Sequence, residues 1–233
     1  MAGRPAMAAG EQGAGAQFTA TARRLGIYSA ASIAILGLAY SATLAVGLSS
    51  LETPRQPIGD PMFSILEMLI MVMMPPMIGL MVAVHAWAPV SAKTLSIVSI
   101  VFMGLLAGET CGVHLVILTL SRQATFANAP WLPQLLSFQW PSVPYVLDIL
   151  GWDVFFALSM LFAAPVFSGS RLALSIRVLM ILSGAIALAG LGGVAANDMR
   201  IRNIGIVGYA LLFPVVAALL AVLFYKTKPY GQD

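Results

Sequence analysis

At 233 residues, with 60% of them hydrophobic, only 9% charged and a mean hydropathy of +0.92, the chain departs from the roughly 45–50% apolar and 25% charged residues of an ordinary soluble domain. A water-soluble globule is excluded, and a net charge of +3, from 12 Lys and Arg against 9 Asp and Glu, offers no basic surface for nucleic acid. The single cysteine, Cys111, forms no internal disulfide and lacks the CxxC spacing of a structural zinc site, so the redox compartment stays open.

The first 22 residues are rich in Gly and Ala without apolar periodicity, and read as a flexible cytoplasmic tail. They do not read as a signal peptide, because the apolar run behind Arg23 and Arg24 far exceeds an h-region of roughly 7–15 residues. Six apolar stretches follow, at 25–50, 62–88, 94–121, 145–168, 172–195 and 203–225. Each is long enough to cross a hydrocarbon core of about 30 Å at about 1.5 Å per residue. The prediction is therefore an all-α polytopic membrane protein, a six-helix bundle over residues 23–228 with a second cytoplasmic tail at 229–233.

The second span carries Glu67, the run MLIMVMMPPM at 68–77 and, near its far end, His85. Met, Cys and His form the soft-ligand set of Cu(I), but Met68, Met71, Met73, Met74 and Met77 point all round a helix, which suits gap-filling better. Pro75 and Pro76 remove two backbone donors, so a bend is expected there. The third span contains GETCGVH at 108–114: Glu109, Thr110, Cys111 and His114 within barely two turns. Thr110 and His114, at i,i+4, share a face, as do Cys111 and His114 at i,i+3.

Residues 122–144 hold Trp131, Phe138 and Trp140 among four prolines. Such a segment lies on the bilayer surface as an interfacial loop or covers a cavity as a lid. The fourth span contains Asp148 and Asp153; the fifth carries a small-residue stripe, Ala185, Ala189 and Gly193. That stripe marks a packing face for the sixth span, through Gly205 and Gly208, for a second protomer, or for a partner in a larger complex. The sixth span, as bounded above, has Tyr209 and Pro214 and no charge.

Orientation follows from Lys and Arg near the span ends. With the N-terminus inside, eight basic residues (Arg4, Arg23, Arg24, Lys93, Arg171, Arg177, Lys226 and Lys228) are cytoplasmic and four (Arg55, Arg122, Arg200 and Arg202) are not. Both termini are thus expected in the cytoplasm. On that scheme helical rise puts Glu67 about 8 Å below the outer surface, His114 about 11 Å, Glu109 about 18 Å, Asp148 about 5 Å and Asp153 about 12 Å. His85 sits at the opposite side from His114, so the two histidines cannot share a haem iron.

An ionisable group in hydrocarbon costs roughly 2.5–3.5 kcal/mol on insertion scales, which makes each one a candidate functional group. Glu67, Glu109, His114, Asp148 and Asp153 could converge on one cavity if the second, third and fourth spans pack together. Glu109 and His114 are five residues apart, about 140° around an α-helix, and so are Asp148 and Asp153. One member of each pair is then expected to face elsewhere. The plainer alternative is that Glu67 and Asp148 reach headgroups and that His114 is a core histidine. Glu109 resists it, with no Lys or Arg inside any span to pair with. No GxxxxGK[ST], GxGxxG, HExxH or GxSxG occurs, and the two halves show no internal repeat.

The stretches LDILGWDVFFALSMLFAAPVF (147–167), SGAIALAGLGG (183–193) and IRNIGIVGYALLFPVVA (201–217) resemble a group of uncharacterised bacterial multi-pass inner-membrane proteins, a domain of unknown function, over the C-terminal half. The resemblance implies a bacterial inner membrane and carries over no functional residue. The leading expectation is a membrane protein whose outer-half polar cavity binds or transports a small molecule or cation with proton coupling, using Glu67, Glu109, His114 and Asp153, with Thr110, Cys111 and Asp148 nearby. The alternatives are an intramembrane enzyme on a lipidic substrate, with Glu109 or Asp153 as acid/base and His114 as partner, and a structural subunit of a larger complex. No particular cofactor or metal is implied.

Overall fold

A computed structural model describes residues 18–52, 56–126 and 128–230. The tail at 1–17, Arg55 and the last three residues fall outside the described residues. The described residues contain six long helices: α1 (Ala20–Ser49), α2 (Met62–Trp87), α3 (Val90–Leu120), α4 (Val143–Val166), α5 (Arg171–Ala195) and α6 (Met199–Lys226). No strand occurs among the described residues. The outward faces are apolar, with Tyr28, Ile35, Leu38 and Leu211 all more than 60% exposed. Buried serines, acids and an arginine lie inside. This inversion of the soluble pattern is what hydrocarbon requires, since backbone polar groups are satisfied within each helix and side-chain polar groups by one another.

The helix ends follow local chemistry. Thr19 caps α1, its hydroxyl accepting from the Ala22 amide. Ser142 and Ser170 cap α4 and α5 in the same way. Asp198 caps α6, accepting from the Arg200 amide at 2.9 Å. The Asp198 cap starts α6 at Met199, four residues before the apolar run from 203, and corrects the reading that the sixth span carries no charge. Arg202 lies inside it, only 3% exposed. Helix α2 runs unbroken through Pro75 and Pro76.

Helices α1, α2 and α3 pack in sequence, α3 against α4, α4 against α5, and α6 closes back on α5 and α1. The two termini share one end of the bundle, where the Tyr230 amide donates to the Phe18 carbonyl at 2.9 Å. Arg23 donates there to the carbonyls of Phe224 and Tyr225. This terminal half is densely filled: Met74, Met77, Leu80, Met81, Phe167 and Phe224 are all at most 1% exposed. Ser99 and Ser159 clamp α3 to α4 through reciprocal bonds to each other's carbonyls, at 2.8 and 2.9 Å.

Helix α5 meets α6 along Ser183, Ala187, Gly190 and Gly193, and the Ser183 hydroxyl donates to the Gly208 carbonyl at 2.8 Å. Of the stripe read from the sequence, Gly193 lies in this contact, while Ala185 and Ala189 are on the exposed side of α5. A Cβ on Gly193 would come within 2.1 Å of the Arg202 amide nitrogen. Only glycine lets the start of α6 come this close, and so sets where Arg202 enters the bundle.

Candidate functional site

The buried charged side chains gather in the half of the bundle that carries the 122–144 connection. On α2 and α3, His114 Nδ1 and Glu67 Oε2 are 2.7 Å apart, both residues about 5% exposed. His114 Nε2 faces Asp148 Oδ1 of α4 at 3.7 Å. The other Asp148 oxygen faces Arg202 Nη2 of α6 at 3.6 Å, and Arg202 Nε donates to Asp153 Oδ2 at 3.0 Å. A row of alternating acidic and basic groups, Glu67, His114, Asp148, Arg202, Asp153, thus joins four helices. Tyr145 adds its ring face to the Arg202 guanidinium, 5.4 Å from the centroid.

Asp148 and Asp153 both reach this row, contrary to the expectation that five residues would turn one of them away. The cause is local. Residues Leu150–Phe156 form a π-helix, whose i→i+5 bonding brings residues five apart nearly one above the other. A second π-helical stretch, Val207–Leu212, lies on α6. Aromatic side chains fill the space between the two, Trp152 against Tyr209 with ring centroids 5.0 Å apart and Phe156 against Phe213 at 5.2 Å.

Glu109 does not join the row. Both of its oxygens are buried without a hydrogen-bond partner among the described residues, and a Cβ on Gly151 would stand 2.9 Å from Oε2. It lies between α3 and the π-helical stretch of α4. Thr110 is buried and Cys111 half-buried on the same helix; neither makes a side-chain hydrogen bond among the described residues. Sequence reasoning missed Arg202, although a signal was present: Asp198 is a strong N-cap residue and sets the helix start ahead of the arginine.

Two cavities border the row. The larger, about 680 Å³, is lined by α1, α2, α3, the start of α4 and the loop, and includes Tyr40, Phe63, Glu67, His114, Tyr145 and Asp148. Loop residues Leu136, Ser137, Phe138 and Gln139 form part of its wall, with the Phe138 ring 4.9 Å from that of His114. The loop therefore contributes to the cavity wall. Trp140 ties it to the α5–α6 turn through Asn197 at 3.3 Å. The smaller cavity, about 210 Å³, occupies the cleft between α1 and α6 and is lined by Asp148, Trp152, Arg202 and Tyr209 among apolar residues. Asp148 is the one ionisable carboxylate common to both linings.

Outside the spans, Arg122 at the end of α3 donates to Ser64 at 2.6 Å and pairs with Asp60 at 2.9 Å. Ser64 and then Arg122 hold the Asp60 carboxyl below its usual range. Asp198 is likewise held low, by its bonds from Arg200. No group of three or more His, Cys, Asp and Glu side chains with metal-site geometry occurs among the described residues. No protein-family model, curated protein or solved structure matches the chain.

Proposed function

We propose that this integral membrane protein binds a small molecule in its larger cavity and moves it with exchange of protons at the Glu67–His114–Asp148 row. The observation that carries the reading is the coincidence of a cavity with a buried, hydrogen-bonded acid–imidazole pair in its wall. Such groups are expensive to place in hydrocarbon and do not arise from packing needs alone. His114 Nε2 has no hydrogen-bond partner among the described residues, so the ring can take or give a proton on the side away from Glu67.

The cavity lies in the half predicted to face outward, and we place the protein in a bacterial inner membrane with both termini cytoplasmic. Enclosure of Arg202 within α6 supports that orientation, because it removes one of the four basic residues counted against it. Cysteines introduced at Asn128 and Gly231 in a Cys111→Ala background test it. Labelling of both from the same side sinks the topology.

For binding, thermal denaturation of the purified protein is measured at pH 6 and pH 8 against panels of amines, carboxylic acids, sugars and nucleosides. At least one class should stabilise the protein in a pH-dependent way, and Glu67→Gln should erase that pH dependence. A panel with no stabilising member at either pH overturns the reading. A second reading, an intramembrane enzyme acting on a lipidic substrate, is favoured by the same 2.7 Å Glu67–His114 pair, which orients an imidazole as a general base does. Appearance of a converted lipid on incubation with bilayer lipids, lost in His114→Ala, would select it.

A further inference from the structure

The row has one acid more than it has bases. Among the described residues Glu67, Asp148 and Asp153 face Arg202 and His114, three carboxylates against two basic groups, and of these Glu67, His114 and Asp148 line the larger cavity. Asp148 is the least engaged of the three. Its nearest basic nitrogens stand at 3.7 and 3.6 Å, beyond hydrogen-bond length, and its side chain is 20% exposed where the others are 7% or less. Among the described residues no Lys or Arg lines the larger cavity, whereas Tyr40, Phe63, Phe138 and Tyr145 do. Aromatic faces beside a partly exposed, loosely held carboxylate are the surroundings that an organic cation prefers.

Resting on the reading that this cavity binds a small molecule, we propose that its ligand is a lipophilic organic cation, with the charged centre at Asp148 and the apolar body against the aromatic wall. The groups around Asp148 are His114 and Glu109 on α3, Glu67 on α2, Tyr40 on α1, Tyr145 and Asp153 on α4, and Arg202 and Tyr209 on α6.

The test uses two ions of the same shape and opposite charge, tetraphenylphosphonium and tetraphenylborate, titrated calorimetrically into the full-length protein in detergent. The phosphonium should bind at least tenfold tighter than the borate. Asp148→Asn should weaken it at least tenfold and narrow the preference over the borate. Leu48→Trp, which narrows the cavity away from the row, should weaken both ions and keep the preference for the phosphonium, and serves if the Asn variant does not fold. Equal binding of the two ions, or preference for the borate, overturns the cation assignment and leaves the cavity reading standing. Failure of both ions, with a panel compound of another class still stabilising the protein, does the same; failure of both ions and of every panel compound overturns the two together.

Discussion

The two halves of this bundle obey different rules. In the half that holds the termini, methionines, leucines and aromatic residues fill the interior, and the buried serines Ser99 and Ser159 are bonded to each other's helices. In the other half six side-chain polar atoms, on Glu109, His114, Trp152, Asp153 and Arg202, are buried without hydrogen-bond partners among the described residues. Two helices there relax into π geometry, and two cavities open beside the charged row. Close packing in one half supplies stability that the other half spends on unsatisfied charge, and π-helical turns are frequent where function requires such a departure.

Breaking that contrast begins with Arg202. Arg202→Met leaves Asp153 and Asp148 without their cation, and loss of one partner of a buried pair costs about 3–5 kcal/mol. Thermal denaturation should show a large fall, and the double variant Arg202→Met with Asp153→Leu should recover a substantial part of it. A double variant no more stable than the single one would mean that the pair is not the source of the loss.

In the packed half, Met77→Ala removes a side chain with no exposure, at a cost of about 2–5 kcal/mol. Ligand-induced stabilisation and its pH dependence should nevertheless persist. Their loss would show that the two halves are not separable.

Glu109→Gln sharpens the boundary between them. Glu109 is outside both cavity linings, and glutamine keeps the side chain's shape, so stability should change by less than about 1 kcal/mol. The pH response of ligand binding should survive; its disappearance between pH 5 and pH 9 would move Glu109 into the proton-exchanging set.

The smallest effect is at the surface. The Asp60 carboxyl is held below its usual range by Ser64 and Arg122, so its contribution is present above the ordinary carboxylate pKa and lost as pH falls through the lowered folded value. Asp60→Asn should flatten the acid limb of the stability–pH curve slightly and leave neutral pH almost unchanged. An unaltered acid limb would show that the Arg122 contact is unimportant in solution.

Much of this architecture was legible from composition. An apolar run of some 20 residues has few alternatives to a spanning helix, so the number of long apolar helices is legible, while α6 begins ahead of its apolar run at the Asp198 cap. Glu67, His114, Asp148 and Asp153 also meet as their depths implied, because helical rise converts residue number into height without reference to any neighbour. Rotation about the axis is another matter. The 140° expected between Asp148 and Asp153 holds for an α-helix, and the π-helical turn between them is sustained by packing against Tyr209 and Phe213 of α6.

The sequence by itself determined the fold class, the number of spans and the level at which the charges sit, since hydrophobicity and rise are local properties. Only the tertiary structure decided who pairs with whom. Arg202 reaches Asp148 and Asp153 because Gly193 of α5 lets the start of α6 approach closely, and Glu109 is left alone because its side chain fits over Gly151 instead. Both outcomes depend on contacts between segments distant in the chain, where the space beside a backbone decides whether a charge finds its partner.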